Sequence, residues 1–333
     1  MKIFKCTKCG KTLDGFKPAA CDCGYITPVI NSVYQFTDDA PISVDGDGLK
    51  WLGYEMVGKN YEPGYFYDQK DNKIGNSDYL ADYIGRDKIL LDIGAGLAPA
   101  SISFALSGVK SIAADISQVM LELGVKRAVE NEVNDDNIIF TRMNGYKLEL
   151  ADNSVDAVIA IDVLHQVDHP ELMMDEILRV LKPDGYFVRY GGIQSLGYTD
   201  EQNEANIKYN EAQSDIDKFY SNLISEAGYS EPPFSSWEKA DECVNENFIE
   251  YKVIESTGHY NNSSVREWQL KLGLHKTKTK ASGSKQLLPD EIHNEAWMKT
   301  DEYAKSKYGE NYEEMTRYYH YTANMKLYKR RDK

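Results

Sequence analysis

The stretch Lys88-Ile89-Leu90-Leu91-Asp92-Ile93-Gly94-Ala95-Gly96-Leu97 decides the fold. Its apolar run is short enough for a buried strand, and two glycines close it before helical periodicity begins over 98–107. A strand that ends in glycines and passes into a helix opens a parallel strand–helix–strand unit. Working outward, the same alternation repeats. Helices are expected over 78–85, 117–132 with Ser117 as N-cap, and 171–181. Strands are expected over 110–115, 137–141, 155–161 and 185–190. Further on, 203–227 and 289–308 read as helices, and 248–255 and 317–330 as strands. Counting 88–93, the strands number seven. The expectation is an α/β protein with a Rossmann-like, doubly wound seven-stranded sheet and a C-terminal helical insertion or lid.

The 333 residues are 42% hydrophobic and 27% charged, an ordinary globular composition that can bury a core. The N-terminus lacks the apolar stretch of a secretory signal and no run is long enough to cross a bilayer, which points to a cytoplasmic protein without a membrane partner. A net charge of −15 disfavours binding to nucleic acid without excluding it. Two basic spots interrupt that acidity, residues 1–24 and 271–285, each carrying five Lys. Solvated faces or flexible loops are the simpler account of both. Oligomeric state is not legible.

Four of the five cysteines cluster as Cys6-x-x-Cys9 and Cys21-x-Cys23. In a reducing compartment two such pairs suit a metal better than disulfides, and four thiolates suit tetrahedral zinc. Gly10 and Gly24 follow the two knuckles and permit the backbone angles they need. A closed four-sulfur set leaves no position for a catalytic water, so the expected zinc ribbon is architectural. Cys243 stands alone as a core or surface residue. The expected division is ribbon and linker over 1–45 and one large domain over 46–333, with its core at 77–192 and an acceptor-side region at 193–333. Residues 51–75 are aromatic and irregular, which suits packing of the linker or a flap over a pocket.

The turn Gly94-Ala95-Gly96 lets a ligand lie against bare backbone at a helix N-terminus. About twenty residues on, the next strand ends in Asp115, where a carboxylate can accept from both ribose hydroxyls. A dinucleotide site would want a third glycine where Pro99 stands. Asp92 beside the turn would repel a pyrophosphate and favour a cation. The expected ligand is adenosyl and cationic.

On these residues the segment 88–190 resembles the class I S-adenosylmethionine-dependent methyltransferases. Leu90 to Gly96 resembles their first motif, Asp115 their ribose-binding acid, and Asn144-Gly145 the loop that meets adenine. Asp152 to His165 resembles the fourth-strand motif, and Ile177 to Phe187 the helix and turn before the fifth strand. The resemblance implies S-adenosylmethionine as methyl donor, Asp92 and Gly94 on its methionine part, Ile116 beside its adenine, and Ile161-Asp162 along its reactive end. Asn144 departs from the aspartate common there. The N-terminal ribbon resembles those fused to bacterial methyltransferases, including ribosomal RNA guanine N1 enzymes.

Methyl transfer is an in-line displacement whose rate can come from alignment alone. His165 is the candidate base, with a plain helix-start role as the competing reading, and Asp162 contacts donor or acceptor unless it only caps the next turn. Tyr65, Tyr67, Tyr319, His320 and Tyr321 are candidates for an aromatic acceptor pocket, with ordinary packing as the alternative for each. A small-molecule acceptor is the leading expectation. An RNA methyltransferase and a non-catalytic S-adenosylmethionine-binding protein are the alternatives.

Overall fold

The computed structural model of the chain describes residues 2–37, 58–59, 77–229, 237–256, 265–280, 285 and 288–331. Its strands are β1 (Lys2–Lys5), β2 (Thr12–Asp14), β3 (Val29–Ile30), β4 (Val33–Gln35), β5 (Ile89–Ile93), β6 (Lys110–Asp115), β7 (Ile138–Arg142), β8 (Val155–Ala160), β9 (Leu181–Ser195), β10 (Phe248–Ser256), β11 (Arg266–Gln269), β12 (Thr316–Tyr319) and β13 (Tyr321–Arg330). The main sheet runs β10-β13-β9-β8-β5-β6-β7-β4-β3. Neighbours from β9 to β4 are parallel, whereas β13 runs antiparallel to both β9 and β10.

All five residues of β5 are buried, as expected of a central parallel strand covered on both faces. Leu91 and Ile93 point to one layer, where Met173, Met174 and Ile177 of the helix Pro170–Val180 meet Ala240 and Val244 of the helix Trp237–Asn247. Leu90 points to the other, against Leu80, Ala81 and Phe104 of the helices Ser77–Ile84 and Pro99–Leu106. The helix Gln118–Glu130 completes that side through Leu121 and Ala128, and Ser117 Oγ caps it by accepting from the Met120 amide at 3.2 Å.

The seven expected strands lie side by side, and two more extend the sheet beyond β7, so the count is nine. Val33 is fully buried among Ala113, Ile138 and Phe140, which draws the segment after the cysteines onto the sheet edge. The single strand expected over 317–330 is two strands: β12 pairs only with β11, and β13 joins the main sheet. The break falls at His320, whose ring bonds the Gly197 carbonyl and whose amide donates to the Tyr198 hydroxyl. β9 begins four residues early because Lys182–Gly185 loops out where the pairing jumps from Val155↔Leu181 to Ala157↔Tyr186. The helix Trp237–Asn247 and strand β11 are further elements beyond those expected.

A helical insertion grows from the carboxyl end of β9 and returns at β13, whose Tyr321 pairs with Ser195. Thr199 and Gln202 form a capping box at the head of the helix Asp200–Glu226. That helix packs on Asp290–Tyr308 over two small cores, one around Tyr209, Ile216, Leu274 and Tyr312, the other around Tyr220, Ile224, Leu288 and Ala296. The insertion is thus attached at the ligand end of the parallel strands.

The cysteine-bearing segment is built into the same core. Phe4 bridges to Leu150, the Lys5 amide donates to the Glu149 carbonyl at 2.8 Å, and the Phe4 ring stacks on Phe36 at 5.1 Å. Phe4 is fully buried. Phe4→Ala should therefore lower the stability of the whole protein by about 3–5 kcal/mol. Urea unfolding followed by far-UV circular dichroism should show one transition shifted as a unit, and an unshifted main transition would refute the shared core.

Candidate cofactor cleft and cysteine cluster

β5 ends where the chain must turn sharply. Gly94 adopts φ +70°, and a Cβ built there would lie 2.5 Å from Val163 Cγ2, so both backbone angle and space demand glycine. The amides of Gly94 and Ala95 both donate to the Ala114 carbonyl, at 2.9 and 3.0 Å. Asp115 closes the arrangement: Oδ2 accepts from the Gly96 amide and Oδ1 from the Ser117 amide, each at 2.8 Å. The cleft beyond is lined by Gly94, Asp115, Ile116, Gly145, Val163 and Met173.

Of the residues singled out in the sequence, Gly94, Asp115, Ile116 and Gly145 therefore share one cleft, with Ala95 and Gly96 forming the turn itself. Asn144 is folded into its own turn, Oδ1 accepting from the Tyr146 amide at 2.9 Å and its carbonyl from the Lys147 amide at 3.0 Å. Ile161 is half-buried just past β8, and Asp162 follows at φ +52°, a left-handed conformation unusual for a residue with a side chain. The Gln166 side-chain amide donates to the Asp162 carbonyl. Met143, Leu148, Val163 and Met173 also line the cleft and went unread, because apolar residues in core-like runs carry no chemical signature.

Asp92 sits behind the glycine turn. It is 3% exposed, and its Oδ2 accepts from both the amide (3.1 Å) and the hydroxyl (2.8 Å) of Ser101 in the first turn of the helix Pro99–Leu106. Burial pushes its pKa up to about 7, against the Ser101 bonds, and the nearby Asp115 charge adds to the rise.

His165 lies in the short 3-10 turn Leu164–Gln166, its ring stacked on Trp237 at 3.6 Å and 12°. Burial, aided by the positive charge of Arg189, lowers its pKa to about 4, so the ring is neutral near pH 7. Tyr319 packs within the insertion, edge-on to Trp268 and under the Arg317 guanidinium. His320 is tied to Gly197 and Tyr198. Tyr321 is described only through its backbone pairing in β13, and Tyr65 and Tyr67, with the aromatic segment 51–75 apart from Gly58 and Lys59, lie outside the described residues.

The four clustered cysteines converge. Cys6 and Cys23 sulfurs are 3.7 Å apart, Cys9 and Cys21 sulfurs 3.5 Å, and all four lie within 4.8 Å of one another. The Gly10 and Gly24 amides donate to the Cys6 and Cys21 carbonyls at 2.8 Å, with φ of +73° and +80°. Cys243 is buried in the helix Trp237–Asn247. Both basic spots are partly neutralised: Lys5 pairs with Asp152, Lys17 with Asp135 and Asp136, Lys278 with Glu313 and Lys280 with Asp290, while Lys285 is only 8% exposed. No helix among the described residues is long and apolar enough to cross a membrane.

Residues 91–189 match the family described as "Methyltransferase domain". The demethylmenaquinone methyltransferase of Clavibacter sepedonicus is 39% identical over 99 residues, 30% of this chain and 39% of that protein. The ubiquinone/menaquinone biosynthesis C-methyltransferase UbiE of Zymomonas mobilis subsp. mobilis is 33% identical over 98 residues, 29% of this chain and 40% of its own length. A SAM dependent methyltransferase from Aquifex aeolicus is 16% identical in its crystal structure, with TM-score 0.38 over 61% of this chain and 92% of that one. The chain thus spans about two fifths of the curated relatives it matches. Residues 91–189 are therefore similar to methyltransferase domains.

Asp92 yields a sign-definite prediction. Its folded pKa lies above the ordinary 3.8, so the folded protein holds that proton more tightly than the unfolded chain does. The stabilisation is fully present below about pH 4 and is lost as pH rises to about 7. Asp92→Asn should flatten this part of the stability profile of the ligand-free protein. Urea midpoints at pH 5 and pH 8 check it, and a variant whose midpoints decline as steeply as the parent's contradicts it.

Proposed function

We propose that the chain is an S-adenosylmethionine-dependent methyltransferase acting on a small-molecule acceptor, with a zinc ion held by its N-terminal cysteines. The observation that carries this reading is the junction of β5 and β6, where Gly94, Ala95, Gly96 and Asp115 form one backbone-stitched rim of the cleft. The matched relatives, a demethylmenaquinone methyltransferase and a ubiquinone/menaquinone biosynthesis C-methyltransferase, support a small organic acceptor.

S-Adenosylmethionine supplies an activated methyl group on a sulfonium. Asp115, held by the Gly96 and Ser117 amides, is oriented to receive two ribose hydroxyls without first being ordered. Ile116, Gly145 and Asn144 would flank the adenine. Asp92 would answer the positive charge of the donor from behind the turn, and charging it on binding would expel a proton. Asp162, turned by its left-handed backbone at the end of β8, would stand at the reactive end with Ile161. His165 is a weak base with its ring committed to Trp237, so its role is to shape the acceptor side, and rate comes from alignment.

The sulfur spacings of 3.5 and 3.7 Å fit tetrahedral zinc, whose four thiolates stand about 3.8 Å apart at ordinary bond lengths. Cys6, Cys9, Cys21 and Cys23 would hold it as a structural element beneath β1 and β2.

The test of the cofactor reading is calorimetric titration with S-adenosylhomocysteine. One site is expected, and Asp115→Ala should weaken it by at least about tenfold through loss of two charge-assisted hydrogen bonds. No binding to the parent protein would refute the reading. For the metal, purified protein should contain one zinc, and Cys6→Ser should lose it and unfold earlier while any folded fraction retains cofactor affinity. A metal-free parent of full stability would remove zinc from the account.

A further inference from the structure

Beyond the cofactor cleft, β8 ends at Ala160 and the chain passes through Asp162 into the turn that holds His165. Arg189 on β9 pairs directly with Ala160, so it stands level with the end of β8. It shares the sheet face of Phe187, two residues before it, and is only 8% exposed. A guanidinium carries five donors. Among the described residues, Arg189 donates one hydrogen bond, from Nη1 to Asp241 Oδ1 at 2.8 Å. That counter-ion has a side chain 56% exposed against 9% for the arginine. A buried cation balanced by one solvated carboxylate is a poor structural bond, because its desolvation is only partly offset. It is a good recognition site, since the planar fork matches a carboxylate in two bonds.

Arg189 also lies within electrostatic reach of His165, whose ring carries Trp237. Trp237 starts the same helix that bears Asp241 and remains 51% exposed although one ring face is covered by His165. A flat apolar surface and, one helical turn on at Asp241, a cationic fork therefore stand on one helix face beside the end of β8. We propose that the methyl acceptor is a planar aromatic carboxylic acid, its ring on the outer face of Trp237 and its carboxylate on the unspent donors of Arg189. Asp241 holds the fork in place when the acceptor is absent. This assignment rests on the methyltransferase reading and names the acceptor class for it.

Benzoate and its neutral isostere benzamide are suitable probes, titrated calorimetrically into the full chain saturated with S-adenosylhomocysteine. Benzoate should bind at least about tenfold more tightly, the value of a charge-assisted pair in a partly buried site. Arg189→Gln should bring benzoate down to the level of benzamide, and Trp237→Ala should weaken both probes. Asp241→Asn keeps the guanidinium and removes its competitor, so it should strengthen benzoate several-fold. Equal affinities for the two probes, no binding of benzoate, or weaker benzoate binding by Asp241→Asn would overturn the assignment, the last by making the ion pair a mere tether of the helix. Absence of heat from S-adenosylhomocysteine itself, a separate titration, would instead remove the cofactor reading beneath it.

Discussion

The hydrogen bond from the Gly96 amide to Asp115 is the constraint on which the rest of the cleft depends. It joins the end of β5 to the end of β6, and the two amides that converge on Ala114 hold the same junction. Backbone can pass there only because Gly94 has no Cβ to meet Val163. The carboxylate of Asp115 is consequently fixed before any ligand arrives, and pre-ordered acceptors cost less to engage than mobile ones.

Asp92 and Asp115 show how two carboxylates a few residues from one turn acquire different characters. Asp115 is half-buried and receives two backbone amides, a setting that suits a charged acceptor of hydrogen bonds. Asp92 is sealed behind the turn with Ser101, where loss of solvent outweighs two hydrogen bonds and its pKa climbs to about 7. A cation brought near would tip it back toward the charged form, which couples ligand charge to proton release.

The N-terminal cysteines and the helical insertion attach to opposite regions of one sheet. Phe4, Phe36 and Val33 carry the cysteine segment into the core and onto the β7 edge. The insertion hangs between the carboxyl end of β9 and the start of β13 and carries its own two cores. The helix Trp237–Asn247 packs Ala240 and Val244 inward while Trp237 and Asp241 reach His165 and Arg189.

Much of this was legible in the residues alone. The run Leu91 to Gly96, the acid at Asp115 and the paired cysteines each combine a local backbone demand with a chemical group, and such combinations survive any surrounding. Periodicity likewise marked the strands and helices of the core, because burial on both faces leaves a continuous apolar run. What the sequence could not carry was partnership across the fold. A short strand after the cysteines was legible, but that Val33–Gln35 joins the main sheet beside β7 was not. That Asp92 is sealed behind the turn shows only once Ser101 is seen beside it. The state of the His165 ring is set by Trp237, 72 positions away in the chain, which stacks on it, and by burial, which lowers its pKa. Arg189 looks like any strand residue until Asp241 and His165 are brought to it. Local sequence determined backbone geometry and the inventory of chemical groups; tertiary structure decided which groups lose their water and which charges meet, and those two quantities set their chemistry.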